Sequence, residues 1–321
     1  MKILVTGATG FIGQELCRKL LAEGFLLRAV VRNERNFLPL EYRVTPECEI
    51  VNVGDINEAT DWQKALIGVE VVIHLAGIAH ITGDKSTKLK FDIRRVNVEG
   101  LRALATASAK AGVRRLVYIS SIKVNGERSD RDHPFNEQDA PAPGDLYGIS
   151  KRDAEEVLTG IARQTGLEAV ILRPPLVYGP GVKANFRSLM KLAQTGFPLP
   201  FKDVKNRRSF IYLDNFIDAI RLCAVHPKAA GETFLVSDGE DVSTPDLIRM
   251  IAMAKGKKPA LFSFPLDLLR VLHVIIGKAD AYDKLTGSLC VDSSKIRNLL
   301  GWTPPFTLQE GIQETVRRDV R

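Results

Sequence analysis

A chain of 321 residues, 45% hydrophobic and 26% charged, is long enough to bury a large core and has the balance of an ordinary globular protein. No apolar run approaches the ~18–20 residues of a membrane helix, and Lys2-Ile3-Leu4-Val5 runs into glycine turn chemistry without a cleavage site, so a cytoplasmic protein without membrane insertion is expected. The net charge of +7 is dispersed, with Arg-Arg pairs beginning at 94, 114, 207 and 317, which argues against nucleic acid and for anionic phosphorylated ligands.

Short apolar runs alternate with amphipathic stretches through the first half, as in a parallel sheet with helical crossovers. Predicted strands are 2–6, 27–31, 49–53, 69–75, 115–120 and 168–172, and helical patterns occupy 11–22, 85–111 and 146–165. Runs such as Val71-Val72-Ile73-His74-Leu75 suit strands covered on both faces, with His74 a packed strand residue rather than a ligand. Near Arg173-Pro174-Pro175 the alternation ends. A substrate lobe is expected from about 177, and one further strand at 232–236 is expected to return to the main sheet. The stretch 264–276 reads as an amphipathic lobe helix. Cys17, Cys48, Cys223 and Cys290 are far apart with no Cys-x-x-Cys pair, so neither a disulfide framework nor a metal site is expected.

Thr6-Gly7-Ala8-Thr9-Gly10-Phe11-Ile12-Gly13 follows the first strand and opens the first helix. Gly7 permits a tight turn, Gly10 lets backbone approach a pyrophosphate, and Gly13 allows close helix–strand packing, while Phe11 and Ile12 lie in the helix N-terminus that faces the phosphates. A glycine triplet alone is weak, but here it has the required strand–turn–helix context. Arg32 ends the second strand where NAD sites place an acid, and Arg35 follows, which predicts NADP(H), with NAD(H) as the alternative.

Tyr147 and Lys151 lie four residues apart, on one face of the helix predicted over 146–165. A nearby cation lowers a phenol's pKa and makes it a usable general acid/base. Ser120-Ser121 ends the fifth strand beside the cofactor crevice, where a hydroxyl can bond a substrate carbonyl or alcohol.

Together with Gly54-Asp55, His74-Leu75-Ala76-Gly77, Asn97 and Arg173-Pro174, these residues resemble the extended short-chain dehydrogenase/reductase (NAD-dependent epimerase/dehydratase) family over essentially the whole chain. The resemblance implies an α/β fold, a Rossmann doubly wound parallel sheet with a smaller, interleaved C-terminal substrate lobe. The dinucleotide domain would comprise 1–176 with return elements near 207–237, and the lobe 177–206 and 238–321. It further implies that Ser121 assists Tyr147 and that Lys151 binds the nicotinamide ribose and tunes the tyrosine. Asp55 and Ile56 would flank the adenine, Leu75, Ala76, Gly77 and Asn97 would bind the dinucleotide, and Pro174 would lie near the nicotinamide.

The second half resembles nucleotide-sugar members. Asn185, after Tyr178-Gly179-Pro180-Gly181, would approach a diphosphate, and Arg208 would clamp a phosphate. Ser209 stands where relatives often carry Asp, and in place of a second Arg the nearest cation is Lys284. Ser121-Ile122-Lys123-Val124-Asn125-Gly126-Glu127 and Val236-Ser237-Asp238-Gly239-Glu240-Asp241 resemble the surface-polysaccharide (O-antigen) branch, whose members are often labelled UDP-glucose 4-epimerase and in part look like UDP-N-acetylquinovosamine-type 4-keto reductases. The expectation is NADPH-dependent reduction of the C4 keto group of a UDP-linked 6-deoxy-N-acetylhexosamine. The alternative is a UDP-hexose or UDP-N-acetylhexosamine 4-epimerase with tightly bound NAD. A homodimer through the two long helices is what the family implies.

Overall fold

The computed structural model describes residues 1–32, 46–79, 87–130, 132–194, 196–275 and 279–318. Arg35 lies outside them. Strands β1 (Lys2–Thr6), β2 (Leu26–Val31), β3 (Cys48–Asn52), β4 (Val71–His74), β5 (Arg115–Ile119), β6 (Glu168–Arg173) and, after two short strands outside this sheet, β9 (Thr233–Leu235) form one parallel sheet in the order β3-β2-β1-β4-β5-β6-β9. The chain winds outward from β1 to β3, then returns to β4 on the other side of β1. The crevice therefore opens between the carboxyl ends of β1 and β4, the position where doubly wound sheets bind ligands.

Every residue of β4 and β5 is buried, which is why their sequences are almost unbroken apolar runs. One face is covered by α1 (Phe11–Ala22) and α7 (Leu213–Val225), through Leu16, Leu20, Phe216 and Ile220 against Ile3, Val5 and Val117. The other is covered by α4 (Gly100–Lys110) and α5 (Leu146–Thr165), through Leu101, Leu104, Ala154 and Leu158 against Leu4, Val72 and Leu116. Helix α5 has clear ends: Asp145 accepts from Gly148 N–H at 2.7 Å, and Gly166 leaves the helix at φ 77°. Its twenty residues carry the Tyr147–Lys151 face without interruption.

The sequence reads 85–111 as one helix. The structure divides it into α3 (Thr87–Arg94), a π-helical turn at Arg95–Glu99 and α4. Asn97 sits inside that turn, and such single π turns recur at functional sites.

The remaining chain builds a smaller lobe. Strands β7 (Leu176–Tyr178) and β8 (Phe210–Tyr212) pair in parallel as a second sheet. Around them lie α6 (Ala184–Gln194), α8 (Thr244–Ala254), α9 (Leu266–Ile275), α10 (Ala279–Thr286) and α12 (Leu308–Arg318), with Tyr178, Phe186, Met190, Tyr212, Ile251 and Ile312 at the centre. One assignment by chain position needs correction. Helix α11 (Ser294–Leu300) falls in the stretch expected in the lobe, yet Ile296, Leu300 and Trp302 pack into the main-sheet core. No helix among the described residues is long and apolar enough to cross a membrane, none of their His, Cys, Asp and Glu side chains gather into a metal-holding group, and all four cysteines are free.

Candidate active site

The turn after β1 has no room for larger residues. Gly7 adopts φ 69°, and a Cβ there would stand 2.9 Å from the backbone nitrogen of Ala76 in the loop after β4. A Cβ on Gly13 would collide with the carbonyl of Gly7. The two loops flanking the crevice thus touch through backbone, and α1 starts at Gly10 with no side-chain cap. The backbone N–H groups of its first turn, with the positive end of the helix dipole behind them, form an anion cradle beside Leu75, Ala76 and Gly77. A dinucleotide pyrophosphate fits this cradle.

At the end of β2, Arg32 Nε is 2.8 Å from Asp55 Oδ1, with the two side chains 80% and 73% exposed. The arginine expected to select a 2′-phosphate is therefore paired with the acid expected beside the adenine. An exposed pair of this kind is worth only about 0–1 kcal/mol. Ile56 packs against Gly100 at the start of α4, where a Cβ would come within 2.8 Å of its Cγ2.

Asn97 is committed to the protein. Its Oδ1 accepts from Ile78 N–H at 2.8 Å, and its Nδ2 donates to Ile78 O at 3.1 Å and to Ser150 Oγ at 3.0 Å. It ties the dinucleotide-lining loop to α5 rather than projecting a spare amide into the crevice. Thr6 does similar work from β1. Its Oγ1 lies 2.8 Å from His74 Nδ1 and accepts from Ala76 N–H at 3.3 Å. His74 is fully buried, and burial, with the nearby Lys151 charge, pushes its pKa down to about 3.

The reactive side chains meet where β5 ends. Ser121 has extended backbone and caps the short 3-10 turn at Ile122–Val124, its Oγ accepting from Lys123 N–H at 3.3 Å. Lys123 Nζ in turn reaches Asp145 Oδ2 at 2.5 Å, so the residue that caps α5 also anchors the Ser121 loop. The Ser121 hydroxyl lies close enough to the Tyr147 phenol to favour its anion. Lys151 Nζ donates to Ile119 O at 2.7 Å, 4.6 Å from the Tyr118 ring centroid and 5.8 Å from that of Tyr147. A Cβ on Gly77 would lie 3.7 Å from this ammonium, which places it under the dinucleotide-lining loop.

The electrostatics differ from the expectation that Lys151 depresses the tyrosine. Burial first, then the Asp145 carboxylate, pushes Tyr147 up to about 12, and the Ser121 hydroxyl works the other way. Lys151 is itself lowered to about 8 by burial, opposed by Glu155. Pro174 closes the floor, its carbonyl accepting from Ile122 N–H at 3.0 Å.

Across the crevice, Arg208 is half-buried. Its Nη1 donates to the carbonyls of Lys284 and Gly287, both at 3.0 Å, and no carboxylate among the described residues forms an ion pair with it. Lys284 thus meets Arg208 through its backbone, while its own side chain is exposed. Asn185 lies in the first turn of α6, its side chain outside the described part. Ser209 donates to Asp241 Oδ1 at 2.5 Å, so a carboxylate from the loop before α8 stands against the position where relatives carry Asp. Residues that sequence reasoning missed are Asn125, Ser150 and Glu155, and Ser120, read there only as one of the hydroxyl pair, turns inward to Glu155. Of the missed residues only Glu155 carried a signal, as a carboxylate one turn beyond Lys151.

A doubly wound sheet with a glycine cradle and a Ser–Tyr–Lys cluster at its carboxyl edge defines a dinucleotide-dependent oxidoreductase-type enzyme. The model of the NAD dependent epimerase/dehydratase family matches residues 3–237, and the chain belongs to that family. A Vibrio cholerae protein named UDP-glucose 4-epimerase is 43% identical over 317 residues, covering 98% of this chain and 94% of that one. The N-acetyl-alpha-D-glucosaminyl-diphospho-ditrans,octacis-undecaprenol 4-epimerase of Escherichia coli O157:H7 is 27% identical, with 98% and 94% covered. Among solved structures, the UDP-glucuronic acid 4-epimerase of Bacillus cereus in complex with NAD superposes with a TM-score of 0.80 at 25% identity, covering 100% of this chain and 99% of that one.

Proposed function

We propose that this protein is a 4-epimerase of a UDP-linked hexose or N-acetylhexosamine that works with NAD. The carrying observation is the Ser121–Tyr147 hydroxyl pair beside the 75–77 loop, and the 4-epimerase relatives support the choice of reaction. The NAD nicotinamide supplies reversible hydride transfer at C4. Tyr147 exchanges the proton of the C4 oxygen, Ser121 orients that oxygen, and the Lys151 ammonium, beneath the 75–77 loop, holds the nicotinamide ribose in place beside them. The α1 N-terminus with Gly7, Gly10 and Gly13 holds the pyrophosphate, and Asp55 and Ile56 hold the adenosine half. Arg208 takes the UDP diphosphate, since a planar guanidinium suits paired phosphate oxygens, and Asn185 and Lys284 are assigned to the same ligand. A cytoplasmic homodimer completes this reading.

A second reading, NADPH-dependent reduction of a UDP-linked 4-keto-6-deoxy-N-acetylhexosamine in surface-polysaccharide synthesis, is favoured by two observations. Arg32 rather than an acid follows β2, and Tyr147, pushed up to about 12, holds the proton that a reduction must donate. Analysis of the nucleotide released from the denatured protein, together with assays on UDP-hexoses without added cofactor, separates the two. Bound NAD and interconversion of the 4-epimers are expected. Cofactor-free protein that oxidises NADPH only with the 4-keto sugar overturns the epimerase in favour of the reductase.

A further inference from the structure

Behind the catalytic cluster lies a buried charge pair that the chemistry above does not use. Glu155, one turn beyond Lys151 on α5, is 6% exposed, and Arg173, the last residue of β6, is 7% exposed. Arg173 donates to the two carboxylate oxygens of Glu155 at 2.9 Å from Nε and 2.5 Å from Nη2, and its Nη1 donates to Asn125 Oδ1 at 3.0 Å. The Ser120 hydroxyl donates to the Glu155 oxygen that Arg173 Nε also uses. Asn125 continues the chain to the carbonyl of Asn136 at 3.0 Å. One carboxylate thereby gathers the ends of β5 and β6, the loop beyond Ser121 and the reactive face of α5.

Stability alone is a poor account of this pair, because replacing a buried ion pair with apolar residues is often neutral or stabilising. Its placement says more. Ser120 N–H is bonded to Leu172 O at 2.8 Å, and Ile122 N–H to Pro174 O at 3.0 Å, so backbone is pinned on both sides of Ser121. Through extended backbone successive side chains point to opposite sides. With Ser120 drawn inward to Glu155, Ser121 is turned outward to Tyr147. Among the described residues, the groups that contact or neighbour the Lys151 ammonium are otherwise uncharged: the Ile119 carbonyl, the Tyr118 and Tyr147 rings, and His74, which is neutral when buried. Glu155, one turn along the same face of α5, is the carboxylate whose charge reaches it.

We propose that Glu155, clamped by Arg173, is a positioning residue for the active site: it draws in Ser120 so that Ser121 faces Tyr147, and it supplies the negative charge that keeps Lys151 an ammonium. The inference rests on the roles given above to Ser121, Tyr147 and Lys151. It accords with the direction of the charge effects, since burial lowers Lys151 and Glu155 opposes that lowering.

The test follows Lys151 directly in the full chain. Protein labelled at the lysine ε-carbon is titrated by NMR, with Lys151→Arg identifying the resonance. Glu155→Gln keeps the shape but leaves Arg173 uncompensated, so Glu155→Gln/Arg173→Gln accompanies it as a variant that buries no lone charge. In both, the Lys151 midpoint is expected to fall by about one pH unit or more, as for loss of a close opposite charge. Ser120→Ala is expected to leave that midpoint in place while lowering kcat about tenfold with KM unchanged, the pattern of a misaligned group in the transition state. Glu155→Asp is expected to restore the midpoint. An unmoved Lys151 midpoint in the folded double variant, or full kcat in Ser120→Ala, overturns the proposal. A wild type inert toward every UDP-sugar, with the midpoint still shifting in the Gln variants, sinks the epimerase reading and leaves the Glu155–Lys151 linkage standing.

Discussion

Tyr147 is governed by opposing influences at the scale of a few ångströms. Burial and Asp145 hold its proton on, while the Ser121 hydroxyl favours the anion. Tyr147→Phe removes the proton but leaves the glycine cradle untouched. Turnover is expected to fall by ~10²–10⁴ with dinucleotide affinity preserved, as loss of a general acid/base requires. Steady-state kinetics and cofactor titration check this together, and near-normal turnover removes Tyr147 from the mechanism. Arg208 is a different case, because among the described residues its guanidinium is satisfied only by two neutral carbonyls. Arg208→Ala is expected to weaken UDP binding by about 1.5–3 kcal/mol, the scale of a hydrogen bond to a charged group. Calorimetry with UDP alone gives the answer, and equal affinities in the two proteins make Arg208 a structural residue.

Between elements, one carboxylate holds the lobe to the sheet. Asp238, beyond β9, accepts from the Tyr178 hydroxyl at 2.9 Å, from Tyr212 N–H at 2.9 Å and from Asn215 Nδ2 at 2.7 Å, joining β7, β8 and α7. Tyr178 also donates to Leu308 O at the start of α12. Burial pushes Asp238 up to about 6, against the opposing hydrogen bonds. A raised acid binds its proton more tightly when folded, so this contribution to stability is complete below the unfolded value and is lost as pH rises through about 6. The difference amounts to roughly 2–3 kcal/mol at most. Thermal unfolding between pH 4 and pH 8 is expected to show, for the wild type but not for Asp238→Asn, a loss of stability as pH rises from about 4 to about 6 that levels off above it. Parallel curves would show that Asp238 titrates alike in the folded and unfolded chains.

At the scale of the whole molecule, the outer faces of α4 and α5 leave a groove of about 520 Å³. Val98, Val157 and Ile161 line its apolar part, and Arg94, Arg102, Asp153 and Glu156 supply charges of both signs at its rim. A surface with apolar centre and mixed charges suits a two-fold contact, in which each patch meets its own copy. Ile161→Asp would bury an unpaired carboxylate there. It is expected to halve the mass seen by light scattering while leaving the melting temperature of the monomer close to that of the wild type at high dilution. An unchanged mass means that this groove is not a contact between two copies.

What is local in this protein was legible in its amino-acid order. The main-sheet strands, helices 11–22 and 146–165, and the Gly7–Gly13 turn each depend on periodicity or turn chemistry within some ten residues, and the structure has each within a residue or two at its ends. The lobe was not legible in the same way. Strands β7 and β8 are three residues long, too short for a period to register, and only their mutual pairing makes them a sheet. Chain position put α11 in the lobe, but Ile296 and Trp302 find their apolar surroundings on the main sheet. The Arg32–Asp55 contact and the hub of Ser120, Glu155, Arg173 and Asn125 join residues from separate elements. Nothing in the local sequence marks such partners. The parallel register of β5 on β6, with Ile119 opposite Leu172, brings Ser120 and Arg173 to one edge, and the packing of α5 across that edge carries Glu155 to both.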